Sequence, residues 1–348
     1  MTPIDHPLWV WLIFFSVVLV ALSVDVGIVN RKAHAPTRKE TFTWAIVWVS
    51  LALAFNVFVY FQVGDHTGDW KVAASQAKVF LTGYLIELSL SVDNLFVFLL
   101  IFTFFKVPKK YQHRVLFWGI IGALALRMIM IFAGAELVER FHWIIYVFGA
   151  FLVYTGLKMF QNVDDNFEPH ESAIVKFATR FIRISKHYDG EKFFTYTNGV
   201  RSGTLLLLVL IVVEFTDLVF AVDSIPAIFG VTTDKFIVYT SNIFAILGLR
   251  TFFFLLADLA ERFHYLKYGI AFVLSFIGVK MLLPLAAAGL IIIIGRDSGS
   301  AFGNFLERYL RQEFDGQIID LSLGIVVGAT LISAIISWIF PPKHAADA

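Results

Sequence analysis

The sequence predicts an all-α polytopic membrane protein of about nine transmembrane helices, with an inverted repeat of three helices each. Three observations carry that prediction. The 348 residues are 58% hydrophobic and only 16% charged, with a mean hydropathy of +0.77, far from the balance of a soluble domain. Apolar runs of about 20 residues recur along the whole chain, the length a helix needs to cross a hydrocarbon core about 30 Å thick. The third observation is internal similarity between two blocks of the chain.

In order, the spans fall at roughly 8–29, 42–62, 77–105, 114–134, 142–161, 203–229, 236–257, 264–284 and 318–340. The first lacks a basic segment ahead of it and runs into Asn30-Arg31-Lys32 without a small-residue cleavage pattern, so it reads as a retained helix rather than a signal peptide. Links after the first, third and fifth spans carry Arg31, Lys32, Arg38 and Lys39; Lys106, Lys109, Lys110 and Arg114; and Lys176, Arg180, Arg183, Lys186, Lys192 and Arg201. Asp65, Asp69, Glu136 and Glu139 occupy links between them. The positive-inside rule then puts the amino terminus outside and the carboxyl terminus in the cytoplasm.

Residues 1–348 form a single integral membrane domain in this reading. Within the link 162–202, residues 173–184 place Lys176, Arg180 and Arg183 on one helical face and apolar residues on another, which suits either a helix at the lipid surface or a solvated connector. The variable segment 285–317 opens with "LAAAGLIIIIG", too short to span alone; it either extends the eighth span or re-enters the membrane.

The repeat units are 77–161 and 203–284. "ALRM" (125–128) answers "GLRT" (248–251), "ELVERFH" (136–142) answers "DLAERFH" (258–264), and "GLKM" (156–159) answers "GVKM" (278–281). "IELSLSVDN" (86–94) lines up with "TDLVFAVDS" (216–224). Each unit has three spans, so the second must enter the membrane from the opposite side to the first. Inverted repeats of this kind build secondary transporters, with the substrate site near the midplane where the units meet.

Carboxylates inside these spans are the candidate functional groups. Each costs about 2.5–3.5 kcal/mol on insertion scales, so Glu214, Asp217 and Asp223 together burden the sixth span by on the order of 10 kcal/mol. In the third span Glu87, Ser91 and Asn94 share one helical stripe, while Asp93 points about 120° away and rises about 9 Å from Glu87. The sixth repeats the pattern, with Asp217, Ala221 and Ser224 on the stripe and Asp223 off it. A pseudo-symmetry axis joining these helices would converge Glu87, Asp93, Asp217 and Asp223, with Asn94, Glu214 and Ser224 beside them. Such a cluster requires protons or a cation between the acids, and its all-oxygen character favours Mn2+, Mg2+ or Ca2+ over zinc or copper.

Pro226 removes a backbone donor, predicting a kink or unwound turn after Asp223. Arg127 and Arg250, at equivalent places in spans four and seven, are expected to act as counter-charges that hold the acidic cluster when it is empty. His142 and His264 read as interfacial caps. Asp25, at the inner end of span one, either lines an entrance or is simply hydrated.

"ELSLSVDNLFVF" (87–98) and "VEFTDLVFAVDSIPAIFGVTTDKFIVYTSNIFAILGLR" (213–250) resemble the TerC family, named for tellurium resistance, and within it the Alx-like membrane proteins. The resemblance runs over nearly all of 8–284 and the last span. It implies a polytopic inner-membrane protein related to the LysE-type exporters and, for Alx-like members, export of manganese. The family's intramembrane acids would carry over to Glu87, Asp93 and Asn94 in the first motif and to Glu214, Asp217 and Asp223 in the second. The segment 285–317 is longer than the family's usual link.

The functional expectation is therefore a divalent-cation exporter, Mn2+ first and Ca2+ or Mg2+ next, working by alternating access with protons competing for the same carboxylates. Neither an enzyme activity nor an organic cofactor is expected. A net charge of +1 without a long basic block gives no reason for nucleic acid as a partner, and the absence of cysteine excludes disulfides and thiolate metal sites. Two alternatives are a membrane-protein assembly factor without transport and an intramembrane aspartyl protease. The latter is disfavoured because the chain lacks a Gly-x-Gly-Asp motif.

Overall fold

The computed structural model describes residues 6–24, 37–161, 183–185, 188–197, 200–257, 265–294 and 315–339. Ten helices and one hairpin are described: α1 Leu8–Val24, α2 Arg38–Thr67, α3 Trp70–Phe104, α4 Lys109–Arg140, α5 Ile144–Gln161, β1 Phe194–Thr197, β2 Val200–Gly203, α6 Leu205–Phe229, α7 Lys235–Leu247, α8 Leu249–Ala257, α9 Leu266–Ile294 and α10 Asp315–Ile339. By length and composition, α2, α4, α6, α9 and α10 can each cross a membrane, and α7 with α8 makes a sixth span bent by 40°. Among the described residues, α1 and α5 are apolar but shorter. The protein is thus an all-α polytopic membrane protein; among the described residues five or six spans meet these criteria, and the expected count of nine is not confirmed.

Helix ends follow local chemistry. Thr37 and Glu40 form a reciprocal capping box at the start of α2, and the carboxylate of Asp69 accepts from Lys71 N and Val72 N to start α3, satisfying donors the helix itself cannot. Gly68, at φ +68°, turns the chain between α2 and α3 in the left-handed region that glycine enters without steric cost. His6 lies between Gln62 of α2 and Asp234, its ring nitrogens 3.2 and 3.3 Å from their side-chain oxygens. Asp234 in turn caps α7, so α1 is fastened where α7 begins.

The two expected units, α3–α5 and α6–α9, interleave. α3 packs on α7 while α6 packs on α4; α5 packs on α9, α3 on α6, and α4 on α7. Exchanging the units leaves this set of neighbours unchanged. The seam between α5 and α9 repeats that relation in detail. A Cβ added at Gly278 would meet the carbonyl of Gly149, and one at Gly156, its counterpart, would meet the carbonyl of Ala271, the counterpart of Gly149. Small residues here let two backbones approach, as close membrane helix pairs require.

One expected alternative is realised and two details depart from the sequence expectation. α9 continues to Ile294, so the first part of 285–317 extends the eighth span. The seventh span is broken at Gly248, where the corresponding residue of α4 is Ala125 and the helix runs on. The link 162–202 contributes β1 to an antiparallel hairpin that pairs Phe194 with Gly203 and Thr197 with Val200. The surface helix expected at 173–184 lies almost wholly outside the described residues.

Candidate functional site

Arg127 is the largest fully buried side chain of the core, at 1% exposure. It projects from α4 into the space where α3, α6 and α7 meet. Its guanidinium donates from Nη1 to Glu87 Oε1 and, at 2.7 Å, to Asn242 Oδ1; Nη2 donates to Asp217 Oδ1 at 3.2 Å. Ser91 Oγ donates to the same Glu87 oxygen at 3.1 Å. Glu87 is wholly buried and Asp217 is 4% exposed. These two acids occupy equivalent positions in the two repeat units, so one guanidinium from the first unit joins a symmetric pair of carboxylates across the interface.

The lateral geometry follows from helix periodicity. Glu87 and Ser91 are four residues apart and face the same way on α3, as do Glu214 and Asp217 on α6. Glu214 packs against Gly122 of α4, where an added Cβ would collide with its carboxylate. The guanidinium does not use all the polar atoms around it. Among the described residues, Arg127 Nε, Glu87 Oε2, Asp217 Oδ2, Glu214 Oε2, Asn242 Nδ2 and Ser224 Oγ are buried without a hydrogen-bond partner. Native proteins leave few such atoms, and here four belong to Arg127 and the three side chains to which it donates.

Not every expected residue joins. Asp223 is half-buried and turns toward α5, with Thr155 and Lys158 nearby. The sixth-span stripe explains this: Asp223 is offset from Asp217 by about 120° on α6, so the helix that supplies one acid to the cluster aims the other elsewhere. Convergence of Asp217 with Asp223 is therefore not what the structure holds. Pro226 is buried inside α6, but the helix continues through it to Phe229 without an unwound turn. Asn94 and Ser224 are buried on α3 and α6. Arg250 is buried on α8, just past the break at Gly248 and within electrostatic reach of His113. The side chain of Asp93 and the whole of Asp25 and His264 lie outside the described residues. His142 Nδ1 is 2.9 Å from the carbonyl of Val138 at the end of α4.

Sequence reasoning missed Asn242 and Gly122. Asn242 follows Thr240 and Ser241, three consecutive polar residues with no exposure inside an apolar span; that triplet was the available signal. With the guanidinium in place, no group of three His, Cys, Asp or Glu among the described residues is disposed to hold a metal ion. The cluster as it stands accommodates one organic cation supplied by the protein.

Comparisons place the chain among known proteins. The family profile for "Integral membrane protein TerC family" matches residues 72–343. The chain is 53% identical over 273 residues to "Uncharacterized membrane protein STKORF319" of Myxococcus xanthus, covering 78% of this chain and 82% of that protein. It is 50% identical over 284 residues to "Putative membrane-bound redox modulator Alx" of Escherichia coli (strain K12), covering 81% and 88% respectively. A membrane protein of Rickettsia bellii is 41% identical over 271 residues, covering 78% and 87%. No solved structure matches the chain. The chain belongs to the TerC family of integral membrane proteins.

Proposed function

We propose that this protein exports divalent metal cations, Mn2+ foremost, by alternating access of the cluster around Glu87 and Asp217 to the two sides of the membrane. One observation carries the reading. Repeat-equivalent acids from two units, both withdrawn from solvent, share a single cation at the place where those units meet. Intramembrane acids mark ion pathways more often than they serve structure alone, and inverted-repeat transporters bind substrate at this junction. The candidate ligands are the carboxylates of Glu87, Asp217 and Glu214 with the amide oxygen of Asn242 and the hydroxyl of Ser91. All are hard oxygen donors, which suit Mn2+, Mg2+ or Ca2+.

The Lys/Arg pattern of the links supports an orientation with the amino terminus outside and the carboxyl terminus in the cytoplasm, and this reading places the protein in the inner membrane as a transporter that does not convert the ion chemically. The name carried by the Escherichia coli relative speaks of redox modulation. A chain without cysteine has no thiol with which to exchange disulfides, whereas a change in cellular manganese would alter redox balance indirectly. The protease alternative gains no support, since Asp217 is held by Arg127 while Asp223 turns to α5. Cellular manganese content tests the reading: wild-type expression should lower it relative to Glu87→Gln, and equal contents with both proteins inserted would refute it.

A further inference from the structure

We propose that Arg127 is the cation with which the empty carrier returns, so that metal and guanidinium occupy the acidic pair alternately. This rests on the export reading above and concerns what happens after the metal has left. Glu87 and Asp217 are too deeply buried to stand without a positive partner, and Arg127 supplies one from within the chain. The fit is incomplete in a telling way. Arg127 Nε and one oxygen of each of Glu87 and Asp217 find no partner among the described residues, and Glu214 Oε2 and Asn242 Nδ2 are likewise unused. A purely structural ion pair optimises its fork against the carboxylates; this one leaves in place the oxygen atoms that a metal would take. The guanidinium is an occupant of the site rather than its fixed complement.

A second consequence distinguishes this from the exchange expected from sequence. Arg127 carries one positive charge against the two acids of Glu87 and Asp217, so on the return it replaces one of the two charges that the metal brought, and no second metal ion has to ride back. Net Mn2+ movement down its own gradient then returns one proton per metal ion at this pair rather than two. Removing the guanidinium should trap the empty carrier, because two unpaired acids resist rearranging through a water-poor interface. The loaded carrier, whose acids are paired by metal, should still move. Arg127→Gln thus separates two modes that any ordinary loss of function would abolish together.

The experiment uses full-length protein in proteoliposomes, with wild type, Arg127→Gln and Arg127→Lys compared in two modes. One is net Mn2+ efflux into metal-free medium; the other is exchange of radiolabelled Mn2+ with unlabelled Mn2+ on both sides. Arg127→Gln should lose net efflux about tenfold or more while keeping exchange within about twofold of wild type, a coupling in the ordinary range. Arg127→Lys, which keeps a positive charge, should retain part of the net efflux. Equilibrium Mn2+ binding in detergent should be tighter in Arg127→Gln than in wild type, since no resident cation must be displaced. Unchanged net efflux in Arg127→Gln, loss of both modes together, complete loss of net efflux in Arg127→Lys, or weaker Mn2+ binding would each overturn the proposal. Wild type silent in both modes would instead remove the export reading on which it rests.

Discussion

Replacing Gly278 by alanine should separate α5 from α9 and destabilise the whole interleaved arrangement. A Cβ there would lie 2.6 Å from the carbonyl oxygen of Gly149 and 2.7 Å from the backbone nitrogen of Val153. Both neighbours are main chain, so no rotamer change relieves the clash. Restoring ordinary contact requires the helices to part by about 0.8 Å, a gap large enough to forfeit a quarter to a half of the dispersion energy across the seam. Overpacking of this kind costs about 1–3 kcal/mol, offset by the roughly 0.5–1 kcal/mol that alanine gains over glycine in a helix. The net expectation is a loss of about 1–2 kcal/mol. Gly289 lies on the same helix with nothing within 4 Å of its added Cβ, so Gly289→Ala should be neutral or slightly stabilising. Reversible unfolding in mixed micelles, followed by tryptophan fluorescence, measures both. A Gly278→Ala protein as stable as Gly289→Ala would refute the close approach and the symmetry read from it.

Gly122→Ala should behave differently: its Cβ meets only the flexible carboxylate of Glu214, so stability should fall by less than about 1 kcal/mol while Mn2+ affinity, read by equilibrium binding, changes as Glu214 is pushed aside. An affinity equal to wild type would remove Glu214 from the ligand set. Asp69→Ala, which deletes the acceptor for Lys71 N and Val72 N, should cost about 1 kcal/mol in the same unfolding assay and leave Mn2+ binding unaltered.

The architecture was legible in sequence where a physical cost had to be met. Twenty-residue apolar runs, paired signatures such as "ALRM" and "GLRT", and acids in water-poor helices all require an explanation, and each pointed to a repeat-built membrane protein. The expectation that Arg127 lies among the acids rested on its depth in span four, and the structure puts it between Glu87 and Asp217. The break at Gly248, just before Arg250, was not legible: the equivalent residue of the first unit is Ala125, in a helix that runs on. Asp223 was misplaced for a related reason: its angle on α6 was known, but the helix it would meet, α5, follows only from how the units interleave. Asn242 passed unnoticed because the triplet Thr240-Ser241-Asn242 carries no charge, and its meaning shows only when a donor is found opposite the amide. The hairpin at 194–203 has strands of four residues, too short for alternation to stand out, and the nine apolar runs compare with five or six helices that meet length and hydropathy criteria among the described residues.

The central claim is that Glu87 and Asp217, one from each unit, together hold the transported ion. Initial rates of Mn2+ movement from proteoliposomes containing wild type, Glu87→Gln or Asp217→Asn test it most directly, with folding checked by the unfolding assay, since removing one partner of the buried cluster costs about 3–5 kcal/mol. The account predicts Mn2+ movement by wild type and its loss in both folded variants. Movement undiminished in either variant, or none in wild type, would contradict it.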